Sequence, residues 1–254
     1  MISTSFKVLQ VNLNRSAVAT ESALQLAIEL NVDLIVVQEP WVIPGSDYIN
    51  TRSVIHQSFL QILPKDLRYR PRTLVYVSRS FRPLVSLAAS SPLDTDMIVI
   101  DVIEQNAKVQ LLNVYNESDQ GGTGLRTLER CLYAYPLEHS TVVLGDFNTH
   151  HPWWDPLASN TQNADELVNW LETADLTLLN TPGTGTFFRL NLPQESVLDL
   201  TFTTSALASR IQDWQTLPDL GSDHYRVLFT ILGTSTNLVD NLLHLEHFNT
   251  RLVN

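Results

Sequence analysis

The side chains best suited to chemistry stand in four short blocks: Gln10-Val11-Asn12, Val37-Gln38-Glu39-Pro40, Gly145-Asp146-Phe147-Asn148 and Gly221-Ser222-Asp223-His224. Each lies at the end of an apolar, β-branched run. Such a run reads as a buried strand, and strand ends are where an α/β sheet presents catalytic groups. Asn12, Glu39, Asp146, Asn148, Asp223 and His224 together offer hard oxygen ligands and an acid/base pair. Those are the groups that Mg²⁺-assisted attack on a phosphodiester requires. One block alone is a weak signal; four in this order across one chain are a strong one.

Each residue also has a plainer reading. Glu39 precedes Pro40, which stops a strand, so it is either a metal-binding carboxylate or an ordinary strand-end acid. Asn12 is either a ligand or a turn former. Asp146 and Asn148, two apart, point the same way from an extended segment. The carboxylate could take a proton from water while the amide orients that water or a phosphate oxygen; the alternative is a simple exit turn. Asp223 beside His224 could share metal binding and charge stabilisation, His being the group that titrates near neutrality. Asp199 is a lone acid in the apolar run Val197-Leu198-Asp199-Leu200. It is either a partly buried acid capping a neighbour or the partner of the His224 imidazole.

The elements that must position these groups start strand–helix–strand and continue mostly as strands. Strands are expected at 6–13, 32–37, 73–77, 97–103, 108–114, 141–144, 176–179, 185–189, 197–202 and 225–232. Helices are expected at 21–30, capped by Thr20, at 125–137 and at 163–173, the last with Leu167, Val168, Trp170 and Leu171 inward. Gln105-Asn106 reads as a hairpin turn, Gly121 to Gly124 as a flexible loop, and 51–63 as irregular strand and loop. No internal repeat or low-complexity tract stands out. Residues 1–232 read as one domain and 233–254 as a linker-like tail.

A length of 254 residues with 44% hydrophobic content suits one large α/β domain. No apolar run is long enough to span a membrane, and the N-terminus lacks a signal-peptide pattern, so an intracellular protein is expected. The single cysteine, Cys131, excludes an internal disulfide and reads as a small buried apolar residue. The net charge of −11 counts against a diffuse grip on nucleic acid. Lys65, Arg68, Arg70, Arg72, Arg79 and Arg82 nevertheless crowd one segment, with Tyr69 and Tyr76 interleaved and Asp66 the only acid among them. This is either a solvated rim or a patch that meets a phosphate backbone, with Arg68, Arg70 and Arg72 as contacts.

Four stretches carry a family resemblance: Gln38-Glu39-Pro40-Trp41, Leu112-Asn113-Val114-Tyr115, Gly145-Asp146-Phe147-Asn148-Thr149-His150-His151-Pro152-Trp153-Trp154 and Ser222-Asp223-His224. The chain resembles the endonuclease/exonuclease/phosphatase superfamily, the deoxyribonuclease I-like fold. The His-His-Pro-Trp-Trp extension narrows the likeness to endonuclease domains of non-LTR (LINE-type) retrotransposons. The resemblance implies a four-layer α/β sandwich, two packed and mostly antiparallel β-sheets flanked by helices. It implies Glu39 as metal ligand with Asn12 and Asp223 nearby, and Asp146 as the group that activates water. Asn148 and Tyr115 would hold the phosphate. His224, oriented by Asp199, would stabilise developing charge, and Thr186 in Gly185-Thr186-Phe187 would lie near the phosphate. The implied cofactor is Mg²⁺, with Mn²⁺ as a substitute. The implied partner is duplex DNA, nicked by a monomeric domain in the nucleus to leave a 3′-hydroxyl and a 5′-phosphate, with a reverse transcriptase domain C-terminal in an intact element. A phosphomonoesterase or phosphoinositide-type phosphatase on the same fold, or an inactive relic, are the alternatives. Tyr225, after His224, stands where a small or apolar residue is commoner in the family. The Trp pair either packs beneath the site or stacks on bases.

Overall fold

In the computed structural model, the described residues are 4–43, 45, 51–117, 126–161, 164–188, 194–218 and 221–233. The elements run β1 (Phe6–Asn12), α1 (Ala17–Glu29), β2 (Leu34–Gln38), β3 (Phe59–Ile62), β4 (Thr73–Ser78), β5 (Leu84–Leu87), β6 (Met97–Glu104) and β7 (Ala107–Tyr115). After a π-type turn at Leu128–Leu132 come β8 (Thr141–Asp146), α2 (Ala164–Thr173), β9 (Leu176–Leu178), β10 (Asp199–Thr204), α3 (Ser205–Ala208), β11 (Ile211–Leu217) and β12 (Arg226–Ile231). The strands form two six-stranded sheets, β11-β12-β1-β2-β4-β3 and β5-β6-β7-β8-β10-β9. Each sheet is antiparallel except for one central parallel pair, β1–β2 and β7–β8. This is the expected four-layer sandwich.

Three apolar clusters fill the spaces between layers. The inner faces of both sheets meet through Val8, Leu34, Val36, Val75, Leu111, Val142, Leu144 and Phe229. The outer face of the first sheet packs Leu9, Val11, Ile35 and Val37 against Ala23, Leu24 and Ala27 of α1. The outer face of the second packs Leu112, Val143 and Phe202 against Leu128, Leu132, Leu167 and Leu171. Strands buried on both faces read as continuous apolar runs, which is why β1, β2 and β8 were legible in the sequence.

Several elements differ from expectation. Helix α1 begins a turn earlier, because the Ser16 side chain accepts from the Ala19 N–H (3.1 Å) and caps it. Thr20 lies inside the helix, its hydroxyl donating back to the Ser16 carbonyl (2.7 Å). The helix expected at 125–137 is a short π-type turn at Leu128–Leu132, with Leu125 outside the described residues. Among the described residues 185–188 no strand forms; Phe187 makes isolated bridges to Ser196 and His224, and Arg189 lies outside the described residues. Strand β3 falls in the stretch read as irregular strand and loop, whereas β5 and β11 have no counterpart in the sequence reading; all three are edge strands whose mixed exposure blurs a period-two pattern. The Gly121–Gly124 loop and the tail from 234 onward lie outside the described residues.

Candidate active site

The inner faces of the central strands change character along their length. On β1 the inward residues run Phe6, Val8, Gln10, Asn12; on β2, Leu34, Val36, Gln38; on β7, Leu111, Asn113, Tyr115; on β8, Val142, Leu144, Asp146. All four strands end at the same rim of the sandwich, and their last inward positions are polar. The two sheets are joined there by buried side-chain hydrogen bonds. Gln10 Nε2 donates to the Gly145 carbonyl (3.0 Å), and the Thr201 hydroxyl donates to Gln10 Oε1 (3.2 Å). Gln38 Nε2 donates to Asn113 Oδ1 (2.6 Å), and Asn113 Nδ2 donates to the Val37 carbonyl (2.9 Å). A polar seam in a sandwich core persists only where such partners are supplied.

Tyr115, Asp146 and Asp199 are neighbours across β7, β8 and β10: Tyr115 pairs with Asp146, and Asp146 pairs with Asp199. Two carboxylates directly opposite one another repel. His224 lies beside them, its Nδ1 donating to Asp199 Oδ2 at 2.7 Å, both side chains almost wholly buried. Burial alone would drive the imidazole toward neutrality. The Asp199 carboxylate overrides this, with help from Asp146 and Asp223, and raises its pKa to about 9. His224 Nε2 has no protein partner among the described residues. Its ring packs on Phe187, centroids 4.8 Å apart.

Asp146 is buried and accepts from Asn12 Nδ2 (2.9 Å) across the sandwich and from the Asn148 N–H (3.1 Å). Burial lifts its pKa to about 7, against the opposing pull of the His224 cation. A carboxylate held near neutrality can take a proton from water. Gly145 precedes it at φ 153°, where an added Cβ would lie 1.8 Å from the Val114 carbonyl oxygen, so the ladder to β7 admits no side chain. Asn148 sits at φ 47° with its Nδ2 donating to the Asn116 carbonyl (2.8 Å). Tyr115 is largely buried, and burial, then the Glu39 and Asp146 carboxylates, raise its phenol.

Glu39 follows β2 at φ 44°, its carboxylate ion-paired with Arg15. Asp223 Oδ1 accepts from Asn14 Nδ2 (3.3 Å), and Asn12 Oδ1 accepts from the Asn14 N–H (2.9 Å). Glu39, Asn12 and Asp223 thus each touch the Asn14-Arg15 turn. Of the eight described non-glycine residues with positive φ, Asn14, Arg15, Glu39 and Asn148 stand here, a local concentration of backbone strain of the kind found at functional sites. No group of three His, Cys, Asp or Glu side chains forms a ready metal cage among the described residues. Two carboxylates and an amide, all hard oxygen donors, do suit Mg²⁺, which keeps several waters and takes one or two protein carboxylates.

Other expected contacts are placed differently. Thr186 is fully buried, and its hydroxyl oxygen accepts the N–H groups of Leu198 (3.0 Å) and Asp199 (2.9 Å). It therefore anchors the strand carrying Asp199 and is closed to a phosphate. Two arginines of the arginine-rich segment are matched by carboxylates in the fold. Arg68 pairs with Asp66 (2.8 Å), and Arg72 pairs with Asp96 and with Glu117 (2.6 Å). Asp96 and Glu117 come from distant sequence, so local counting overlooked them. Arg70 is exposed. Trp154 is fully buried with its Nε1 donating to the Thr149 carbonyl (3.0 Å), whereas Trp153 is partly exposed. Cys131 is half-buried beside Asp94, and burial pushes its thiol up to about 12, away from nucleophilic use. Gln10, Gln38 and Asn113, which join the sheets, were not assigned roles from sequence. Their signal was available: each occupies the next inward position after an apolar alternation.

A family model described as endonuclease-reverse transcriptase (Exo_endo_phos_2) matches residues 109–228. No curated protein matches the chain. Among solved structures, it is similar to the endonuclease domain of TRAS1, a telomere-specific non-LTR retrotransposon, at 19% identity and a TM-score of 0.72, covering 91% of this chain and 99% of that one. It is similar to the AP endonuclease LMAP from Leishmania major at 14% identity and a TM-score of 0.64, covering 91% and 88%. It is similar to the 3′–5′ exonuclease NExo from Neisseria meningitidis at 16% identity and a TM-score of 0.62, covering 89% and 99%. At these identities the likeness to solved structures is one of fold.

Proposed function

We propose that this chain is a member of the endonuclease/exonuclease/phosphatase superfamily and a divalent-metal-dependent DNA endonuclease that nicks one strand to leave a 3′-hydroxyl and a 5′-phosphate. The observation that carries the reading is the Asp146–Asp199–His224 row: a carboxylate poised near neutrality beside an imidazole held cationic. A base for water and a cation for the phosphate are the two groups phosphodiester hydrolysis needs.

In this reading the Asp146 carboxylate takes the proton of the attacking water. Its acceptance of hydrogen bonds from Asn12 and from the Asn148 N–H fixes the carboxylate plane. His224, oriented through Nδ1 by Asp199, presents Nε2–H to a non-bridging phosphate oxygen. Tyr115 and Asn148 border the phosphate from the β7 and β8 ends. Glu39, with Asn12 and Asp223, would hold Mg²⁺ or Mn²⁺, and binding would release Glu39 from Arg15 and Asp223 from Asn14. When bound, the cation would neutralise charge on the phosphate and on the departing 3′-oxygen. A hydroxyl left at the nick is a primer that a reverse transcriptase can extend, which suits a retrotransposon's integration step on duplex target DNA.

Supercoiled plasmid with Mg²⁺, with and without chelator, tests this. The expected product is open-circular DNA that a polymerase extends directly, formed by the wild type and lost in Glu39→Ala and His224→Ala. Nicking that persists in both variants would overturn the site. Phosphate release from small phosphomonoesters without nicking would replace the endonuclease by a phosphatase.

A further inference from the structure

Arg72 ties the two walls of the site together, and we propose that it is a positioning residue that holds the Tyr115 ring against the phosphate. The inference rests on the phosphodiesterase reading above. Arg72 directly precedes β4. Its carbonyl accepts the Glu39 N–H (2.9 Å), and its own N–H donates to the Thr95 carbonyl (3.0 Å). Its guanidinium carbon stands 4.9 Å from the centroid of the Tyr115 ring. One residue thus touches the main chain behind the metal-binding acid and the face of the phosphate-holding phenol.

The guanidinium is fixed by more than one partner. Nε donates to Asp96 Oδ1 (2.6 Å), Nη2 to Asp96 Oδ2, and Nη2 also to Glu117 Oε1 (2.6 Å). Asp96 carries Tyr115 as well, its carbonyl accepting the Tyr115 N–H (2.8 Å). Arg130, on the π-type turn, braces the same two carboxylates, Asp96 (2.8 Å) and Glu117 (3.5 Å), and pairs with Asp94 (2.7 Å) as well. A bidentate Arg–carboxylate fork sets the plane of the cation as well as its place. The Tyr115 hydroxyl has no hydrogen-bond partner among the described residues, so the ring's orientation rests on what packs against its faces, and Arg72 supplies one. With its charge already matched by two carboxylates, Arg72 is poorly suited to a loose electrostatic grip on DNA. Its fixed plane suits it to aligning a neighbour.

The experiment is a double-mutant cycle between Arg72 and Tyr115 on a duplex oligonucleotide, with kcat and KM resolved. Arg72→Gln and Arg72→Lys are both expected to lower kcat by about 10- to 100-fold, the scale of a small misplacement, with KM within about twofold of wild type. Lys keeps the charge and loses the fork, so it does not rescue. In a Tyr115→Phe background the same substitutions are expected to cost less than about threefold, because the group they position is gone. Binding followed by fluorescence anisotropy in chelator is expected to keep the wild-type salt slope. Additive losses, wild-type kcat in Arg72→Lys, or a changed KM and salt slope would each overturn the proposal, the last making Arg72 a phosphate contact instead. Should loss of the fork over buried Asp96 impair folding, Glu117→Gln weakens one arm by removing the charge of a partly buried acid; a kcat loss of about two- to tenfold, suppressed by Tyr115→Phe, is expected. If the wild type does not nick at all, the endonuclease reading fails separately. The Tyr115 ring resonances of Arg72→Lys then decide this inference: they shift if Arg72 sets the ring and stay in place if it does not.

Discussion

Replacing Asp199 by Asn removes the carboxylate that holds His224 cationic while keeping the shape of the pair. In the wild type the imidazole pKa is raised from 6.5 to about 9. At pH 8 about nine-tenths of the protein therefore carries the cation. Without Asp199 the burial that opposes charge is unrelieved, and a return to about 6.5 would leave about 3% protonated at pH 8. Activity that depends on the imidazolium should fall about 30-fold at pH 8 from protonation alone, and by much less at pH 6. The wild-type profile should be a bell, rising as Asp146 ionises near 7 and falling near 9. In Asp199→Asn the alkaline limb should move down by two or so pH units. Stability should follow the same protons. A folded-state pKa above the unfolded one stabilises fully below about pH 6.5, and the benefit is lost as pH rises through 9. A rise from 6.5 to about 9 corresponds to about 3 kcal/mol, so the Tm difference between wild type and Asp199→Asn should be largest at pH 6 and vanish above pH 9. Initial nicking rates from pH 5.5 to 9.5 at saturating Mg²⁺, with thermal melts over the same range, are the measurements. A deficit that stays constant with pH would refute the charge argument and leave Asp199 a purely orienting role.

Gly145→Ala should abolish soluble folded protein or cost more than about 3 kcal/mol, because its Cβ would meet the Val114 carbonyl at 1.8 Å; urea melts check this. Trp154→Ala should cost about 3–5 kcal/mol as a fully buried indole, whereas the partly exposed Trp153→Ala should cost less than about 1, a contrast read from denaturation midpoints. Arg70→Gln should lower the salt slope of duplex binding by about 0.9 if Arg70 contacts a phosphate, and leave it unchanged if the segment is only a solvated rim.

The sequence by itself determined the strands buried on both faces, the fold class and the chemistry-bearing blocks. Strands β1, β2 and β8 are continuous apolar runs, and such runs have one home, the middle of a covered sheet. The family resemblance implied that Asn12, Glu39 and Asp146 serve one site, and in the fold Asn12 donates to Asp146 across the sandwich. Three matters were decided only in three dimensions. Thr186 became an anchor for Asp199 because its hydroxyl is consumed by two backbone N–H groups, a fact of local backbone path that residue type does not encode. Arg72 became part of an ion-pair cluster because Asp96, on the approach to β6, and Glu117, just past β7, fold against it; charge counted along the chain cannot see partners 24 and 45 residues away. The pairing of Asp146 with Asp199, which forces a cation to sit at His224, follows from the antiparallel register of β8 and β10. Register is set by the packing of whole faces, and a slip of β10 by one residue would have turned Asp199 away from the site.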